Sequence, residues 1–96
     1  MRNLKVRKAK LKGASGVTHN VDTVELEGKR YILIRASDDI ADYMFEYFIK
    51  LLICYDVHLP PLIIARPATV PENVRRIVKE LNGVILEIPH VNLNVF

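Results

Sequence analysis

The sequence predicts an α/β protein with a mixed sheet in the element order βββαβαβ. Three observations support this class. Three strand-like segments separated only by glycine turns open the chain, two helical segments follow, and a short apolar strand follows each helix. Strands joined by tight turns pair antiparallel, whereas strands joined through a helix pair parallel. The 96 residues suffice for a single domain, 1–96, with helices expected on the faces of the sheet.

The first two strands flank a glycine turn. Residues 4–12 mix apolar and basic side chains, and their alternation changes parity near Lys8, which suggests a β-bulge. Gly13 to Gly16 form a turn. Residues 17–26 are rich in Val and Thr, which favour strands.

The third strand follows a tight hairpin of Glu27, Gly28 and Lys29. Glycine supplies the positive φ that such turns need. Residues 30–36 contain the run Tyr-Ile-Leu-Ile. A short apolar run of this kind predicts a strand buried on both faces.

An apolar helix is predicted from the cluster Ser37, Asp38 and Asp39 to about Tyr55. Ser or Asp can cap a helix N-terminus, and acidic side chains suit its positive dipole end. The apolar residues leave only a narrow polar strip, which consists of Asp42, Glu46 and Lys50. A helix that is apolar nearly all round must be covered nearly all round. Because so small a domain has little to cover it with, we expect a homodimer.

The second half alternates strand and helix. Residues 62–65 form a short buried strand, and the run from Thr69 to Glu72 matches a capping box with an early proline. The helix that follows carries apolar residues on one face until Asn82 and Gly83 end it. Residues 84–88 form the last strand.

Positive charge is concentrated at the start of the chain. Residues 1–12 hold six basic residues and no acid, whereas the rest has eight basic against eleven acidic residues. Lysines can guard an exposed edge strand, and they can also contact a phosphate backbone. The second interpretation predicts nucleic-acid binding by Arg2, Lys5, Arg7, Lys8, Lys10, Lys12, Lys29 and Arg30.

Several classes of protein are disfavoured. No apolar run reaches the roughly 18 residues of a membrane span, and the basic start lacks the apolar core of a secretory signal, so we expect a cytoplasmic protein. A single cysteine, Cys54, excludes an internal disulfide and suits a buried core position. His19, His58 and His90 have no metal-ligand spacing. The absence of Gln and Trp favours a thermophile.

The stretch from Ser15 to Asp22, SGVTHNVD, is followed by a glycine hairpin and an apolar strand. It resembles the PD-(D/E)XK restriction-endonuclease-like superfamily, in particular small archaeal members with Ser-Gly, then His, then Asp three residues on. The resemblance covers about residues 4–88 and implies a restriction-endonuclease-like core. It also implies that Asp22 matches the first metal-binding acid and that His19 lies beside it.

The third strand departs from the pattern of that family. Where an acid and a lysine are expected, the chain has Arg35, Ala36 and Ser37. The run Glu27-Gly28-Lys29 matches the acid-x-Lys pattern, but it lies in the hairpin turn, at the wrong end of the strand. A lone Asp22 binds Mg²⁺ poorly, and Arg35 can form a salt bridge with it. The resemblance therefore implies a degenerate site without a cofactor, which consists of Asp22, His19, Arg35 and Ser37.

The expected function is that of a non-catalytic module, either for binding nucleic acid or for holding an assembly together. One alternative is an active Mg²⁺-dependent nuclease in which Asp22, Asp38 and Asp39 hold the metal. Another is a purely structural subunit. The sequence does not rank nucleic acid and protein as partners.

Overall fold

A computed structural model describes residues 4–35 and 40–88, with side chains for all of these except 40–45. Its elements are β1 (Val6–Lys12), β2 (Thr18–Leu26), β3 (Lys29–Arg35), α1 (Ile40–Val57), β4 (Pro61–Ala65), α2 (Glu72–Glu80) and β5 (Val84–Glu87). This is the predicted order, and the strands form one mixed sheet in the order β1-β2-β3-β4-β5. Four residues of the predicted sites lie outside the described residues: Arg2 of the nucleic-acid-binding set, Ser37 of the degenerate site, and the alternative metal ligands Asp38 and Asp39.

The ladder between β1 and β2 is antiparallel and unbroken, from Val6 opposite Val24 to Lys12 opposite Thr18. The bulge predicted near Lys8 is therefore wrong. The change of parity has another cause, because β1 buries opposite faces at its two ends. Val6 packs into the cluster on one side of the sheet, whereas Ala9 lies on the side where the helices pack.

The turn between β2 and β3 has the predicted tight form. Glu27 and Gly28 both have positive φ, of 54° and 77°. A two-residue type I′ turn requires positive φ at both central positions, and its twist matches that of the strands it joins.

Both helices pack on one face of the sheet, whereas the sequence suggested helices on its faces. The two crossovers, from β3 to β4 and from β4 to β5, step in the same direction across the sheet. With the same right-handed connection each time, both helices reach the same side. The resulting core joins side chains of α1, α2 and the sheet, among them Ile32, Ile34, Tyr47, Leu51, Ile63, Val74 and Val78.

The opposite face of the sheet carries a second apolar cluster. No helix in the described ranges covers it, and its members are Leu4, Val6, Val24, Tyr31, Leu33, Leu62 and Ile64. Neighbouring residues in β4, such as Leu62 and Ile63, are thus both fully buried although they face opposite ways. The predicted burial of β3 on both faces, over Tyr31 to Ile34, is confirmed.

The ends of α2 match the prediction only in part. The residue that precedes the helix is Pro71, and no side chain caps it. The predicted capping box is therefore wrong, since Thr69 lies two residues before the N-cap position. Its hydroxyl donates to the carbonyl oxygen of Arg66 at 2.6 Å. The predicted stop is confirmed, since Asn82 has a φ of 58° and Gly83 N donates to the carbonyl oxygen of Val78 at 2.8 Å.

The strand β2 leaves β3 halfway along its length. Their pairing runs from Leu26 opposite Lys29 only to Thr23 opposite Ile32, whereas β2 stays paired with β1 as far as Thr18. Residues 8–22 therefore form a two-stranded hairpin that separates from the sheet, and we name it the arm. A turn at residues 13–17 closes its tip.

Candidate functional site

The arm, β3 and α1 enclose a cleft of about 500 Å³. It lies beyond the point where the hydrogen-bonded pairing of β2 with β3 ends, at Thr23 opposite Ile32. Apolar side chains form part of its lining: Ala9, Val21, Ile32, Leu33 and Ile53. The polar part of the lining consists of Lys8, Lys10, Asn20, Asp22 and Lys50.

The basic residues around the cleft lie on two sides of the sheet. Lys8 and Lys10 alternate with Ala9 and so share the face of Val6, away from the helices, whereas Lys50 belongs to α1. Asp22 is paired with Lys8 on the face of Val6, and its Oδ2 lies 3.8 Å from Nη2 of Arg35. The ion pair expected between these two residues is therefore present. Both side chains are more than one third exposed, so the pair stabilises the fold by at most about 1 kcal/mol. In the described part of the chain, no salt bridge involves the three lysines.

The carboxylates described here do not form a metal centre. Asp22 is the one acidic residue among the described residues that line the cleft. Residues 4–35 and 40–88 contain no group of three or more His, Cys, Asp or Glu side chains able to hold a metal. Mg²⁺ needs several oxygen ligands, and a neighbouring Arg35 opposes a cation electrostatically.

His19 does not lie beside Asp22, as the family resemblance implied. Residues three apart on a strand point to opposite faces. Asp22 pairs with Lys8 and lines the cleft, whereas His19 pairs with Leu11. The Nε2 atom of His19 lies 2.8 Å from Oδ2 of Asp56 instead.

Asp56, in the last turn of α1, holds the tip of the arm. Its Oδ1 accepts a hydrogen bond from Ser15 N at 2.8 Å, and its Oδ2 accepts one from Ser15 Oγ at 2.7 Å. Its backbone oxygen accepts a further bond from Ala14 N at 2.9 Å. We name these contacts, together with that to His19, the latch. They fix the far end of the arm against α1 and so close the cleft.

The latch also perturbs the acidity of its carboxyl. Hydrogen bonds from the Ser15 hydroxyl, then His19, then the Ser15 backbone lower the pKa of Asp56 from 3.8 to about 2. A carboxylate that accepts several hydrogen bonds is stabilised in its ionised form. Asp56 is therefore ionised at neutral pH.

The grouping of Ser15, His19 and Asp56 is not a catalytic triad. In a triad the histidine stands between serine and aspartate and takes the serine proton. Here Asp56 Oδ2 contacts both, and the Ser15 hydroxyl donates its hydrogen to the carboxylate. The arrangement holds two parts of the chain together and leaves the serine without a base.

The predicted nucleic-acid-binding residues separate into groups. Lys8, Lys10 and Lys12 share one face of the arm, spaced by two residues and thus about 6.6 Å apart along the strand. Arg7 points to the opposite face, and Lys5 is exposed just before β1. The predicted array is therefore reduced to three neighbouring lysines.

Lys29 and Arg30 lie at the far end of the sheet. They follow the β2–β3 turn, and Lys29 is four residues from Leu33 of the cleft, or about 13 Å along β3. Lys29 Nζ lies 5.4 Å from the centre of the Tyr31 ring, a cation–π distance. These two residues therefore do not extend the lysine row on the arm.

The helix α1 exposes an apolar ridge. It buries Tyr47 and Leu51, but leaves Ile49, Leu52 and Tyr55 exposed by 44%, 68% and 70%. A spacing of three residues places these side chains along one strip of the helix. The sequence prediction that this chain cannot cover all of α1 is confirmed for these three positions.

Cys54 belongs to the core of the protein. It is 1% exposed and packs with the residues that join α1 to the sheet. Burial raises the pKa of its thiol to about 12. It is therefore protonated and unreactive, as expected of a buried structural cysteine.

Two residues of the site were not singled out from the sequence. In the sequence Lys50 belongs to the narrow polar strip of α1, and Asp56 stands just beyond the predicted end of that helix, at about Tyr55. One signal pointed to Asp56, because an acid in the last turn of a helix opposes the dipole and needs compensating partners. No comparable signal exists for Lys50, since its role depends on where the arm lies.

Comparison with known proteins adds no relative, since no family model, curated protein or solved structure matches this chain. Within residues 4–35 and 40–88, no helix is long and apolar enough to cross a membrane. The fold defines an α/β protein with a five-stranded mixed sheet.

Proposed function

We propose that this protein binds nucleic acid without cleaving it, through the row of lysines on the arm. Lys8, Lys10 and Lys12 lie on one face, and no described residue forms a salt bridge with them. The positive charges of such a row repel one another unless solvent or a polyanion faces them. Phosphates that follow one another along a strand match it in sign and in regular spacing. This lysine row is the observation that carries the proposal.

We further infer a restriction-endonuclease-like core whose catalytic site has decayed. The element order βββαβαβ is compatible with this ancestry. The replacement of a second carboxylate by Arg35, next to Asp22, supports the loss of metal binding. In this proposal the Asp22–Arg35 pair stabilises the junction between arm and sheet.

Removing two lysines from the arm should weaken nucleic-acid binding. In the double variant Lys10→Ala with Lys12→Ala, the slope of log K against log salt should fall by about 0.7–0.9 for each lost phosphate contact. Between 50 and 200 mM salt, wild-type affinity should then drop roughly tenfold more than that of the variant. Fluorescence anisotropy with labelled single-stranded and duplex oligonucleotides measures both quantities.

The matched control is Arg76→Ala with Lys79→Ala, which removes two exposed charges from α2. It should leave the salt slope unchanged. If neither DNA nor RNA binds at low salt, the lysines only solvate an edge strand, and a purely structural subunit is the better description. Cleavage in the presence of Mg²⁺ or Mn²⁺ that disappears in Asp22→Ala would establish the nuclease alternative.

We also infer a homodimer, formed by the exposed ridge of α1 against a second copy. Leu52 is 68% exposed, between Ile49 and Tyr55. A charge buried at an interface costs several kcal/mol, so Leu52→Glu should weaken the dimer by roughly a hundredfold or more. Sedimentation equilibrium measures the change.

The control for this experiment is Val17→Glu, because Val17 is exposed by 54% but lies at the tip of the arm. It should leave the dimer intact. A wild-type protein that stays monomeric at the highest accessible concentration contradicts the inference.

A further inference from the structure

We propose that the arm docks in the major groove of duplex DNA, with its lysines on the phosphates and Asn20 on the edge of an adenine. This inference rests on the proposed function and deepens it, because it names the form of nucleic acid and the residue that reads a base. It depends on Asn20, which carries no charge, so it can fail while salt-dependent binding through the lysines persists.

The two faces of the arm have different surroundings. One face is turned towards α1, and its members are half-buried: Ala9, Leu11, His19 and Val21. The opposite face is polar, and its exposed members are Lys8, Lys10, Lys12, Thr18 and Asn20. The contact of His19 with Asp56 belongs to the first face. The latch therefore holds the arm by one face and presents the polar face outward.

The arm is narrow enough to enter a groove. The pairing of β2 with β3 ends at Thr23 opposite Ile32, so the arm beyond that point is two strands wide. The major groove of B-form DNA is about 12 Å wide and admits a two-stranded β-ribbon. A third paired strand would add about 4.8 Å to the width of the arm. The separation of β2 from β3 therefore gives the arm a shape that a DNA duplex can accept.

Asn20 lies at the centre of the exposed face. The distance from Lys8 to Lys12 is about 13 Å along the strand, the length of about four base pairs. Asn20 is the residue opposite Lys10, the middle lysine of the row. Its amide offers a donor and an acceptor side by side, which match N7 and N6 of adenine in the major groove. Lysines on β1 thus suit phosphates, and the amide on β2 suits a base.

The composition of the arm disfavours other forms of nucleic acid. Proteins that bind single strands stack the bases on aromatic side chains, and residues 8–22 contain no Phe, Tyr or Trp. The imidazole of His19 is turned towards α1, where Asp56 holds it. Duplex RNA has a deep, narrow major groove that side chains cannot read. Duplex DNA therefore fits both the charge and the shape of the arm.

Fluorescence anisotropy with the whole chain tests the form of nucleic acid. The probes are a duplex of alternating dA and dT, a dT single strand, and an RNA duplex of alternating A and U. Every register of the alternating DNA duplex offers an adenine, so no particular sequence has to be known. This duplex should bind at least about fivefold more tightly than the other two probes, since it alone presents a readable adenine edge.

Replacement of adenine by 7-deazaadenine tests the role of Asn20, because it removes the N7 acceptor and keeps the base pair. Wild-type protein should bind the modified duplex about threefold or more weakly, through the loss of one hydrogen bond. Asn20→Ala should bind both duplexes alike and keep the wild-type salt slope, since no phosphate contact is lost. The matched control is Asn73→Ala, which removes an exposed amide from α2 and should respond like wild type.

Three outcomes overturn the inference: a single strand or RNA duplex that binds as tightly as the DNA duplex, an Asn20→Ala protein that still distinguishes 7-deazaadenine from adenine, or release of the protein by netropsin, which fills the minor groove. If a lysine-dependent salt slope persists in these cases, the proposed function stands and only the docking is wrong. If none of the probes binds at low salt, both proposals are wrong.

Discussion

Replacing Ile63 by alanine is expected to lower the free energy of unfolding by about 2–5 kcal/mol. Ile63 is fully buried in β4, where it packs in the core between the sheet and both helices. The substitution removes buried apolar surface and leaves a cavity that the surrounding strands cannot fill. A domain of this size has a total stability of roughly 5–15 kcal/mol, so the variant could lose a large part of it.

Thermal unfolding followed by circular dichroism measures the effect. The Tm should fall by roughly 4–8 °C for each kcal/mol of unfolding free energy that is lost. Val17→Ala serves as the control, because Val17 is 54% exposed and its truncation should change stability by less than about 0.5 kcal/mol. An Ile63→Ala variant as stable as this control would show that the core is not packed as described.

Replacing Gly13 by alanine is expected to break the latch. A Cβ atom at Gly13 would lie 1.9 Å from Asp56 Oδ2 and 2.2 Å from its Cγ. The carboxylate must therefore move away from the arm, at a cost typical of overpacking, about 1–3 kcal/mol. Hydrogen exchange should then be faster at the amides of Ala14 and Ser15, which the latch protects.

The sign of this effect should reverse when the carboxylate is removed. The three atoms nearest to the added Cβ all belong to Asp56. In an Asp56→Ala background, Gly13→Ala should be neutral or should stabilise the protein by about 0.4–1 kcal/mol, through the lower entropy of the unfolded chain. A variant that destabilises both backgrounds equally would show that the latch does not form.

The contribution of the latch should depend on pH in a defined direction. Because hydrogen bonds lower the pKa of Asp56 from 3.8 to about 2, the folded state binds its proton less readily than the unfolded state. The stabilisation is therefore complete above about pH 4 and is lost as the pH falls towards 2. Urea unfolding of wild type and Asp56→Asn should give a stability difference that shrinks over this range.

Local patterns in the sequence were sufficient to predict the elements. The turn at Gly28, the buried run of β3 and the stop at Asn82 each depend on neighbouring residues, and each is confirmed. The capping box at Thr69 fits the same kind of pattern but is wrong, because Pro71, not Thr69, is the residue that precedes the helix. The β-bulge predicted near Lys8 is wrong, because the apolar residues of β1 lie on one face at its start and on the opposite face further along.

The site depended on contacts that no local pattern contains. The pair of Asp22 and Arg35 was predictable, since one hairpin joins their strands. The latch joins Ser15 to Asp56, 41 residues apart, and the cleft needs the arm to leave β3 at Thr23. No residue type marks the point at which a ladder opens, so neither the cleft nor the position of Lys50 beside it followed from the sequence.

The separation of β2 from β3 makes the position of the arm a property of the assembled domain. A synthetic peptide spanning residues 4–22 would keep the lysines of the arm. It would lack Asp56, whose carboxylate and backbone oxygen hold the tip of the arm. The lysine row therefore takes its fixed place beside the sheet only when distant parts of the chain meet.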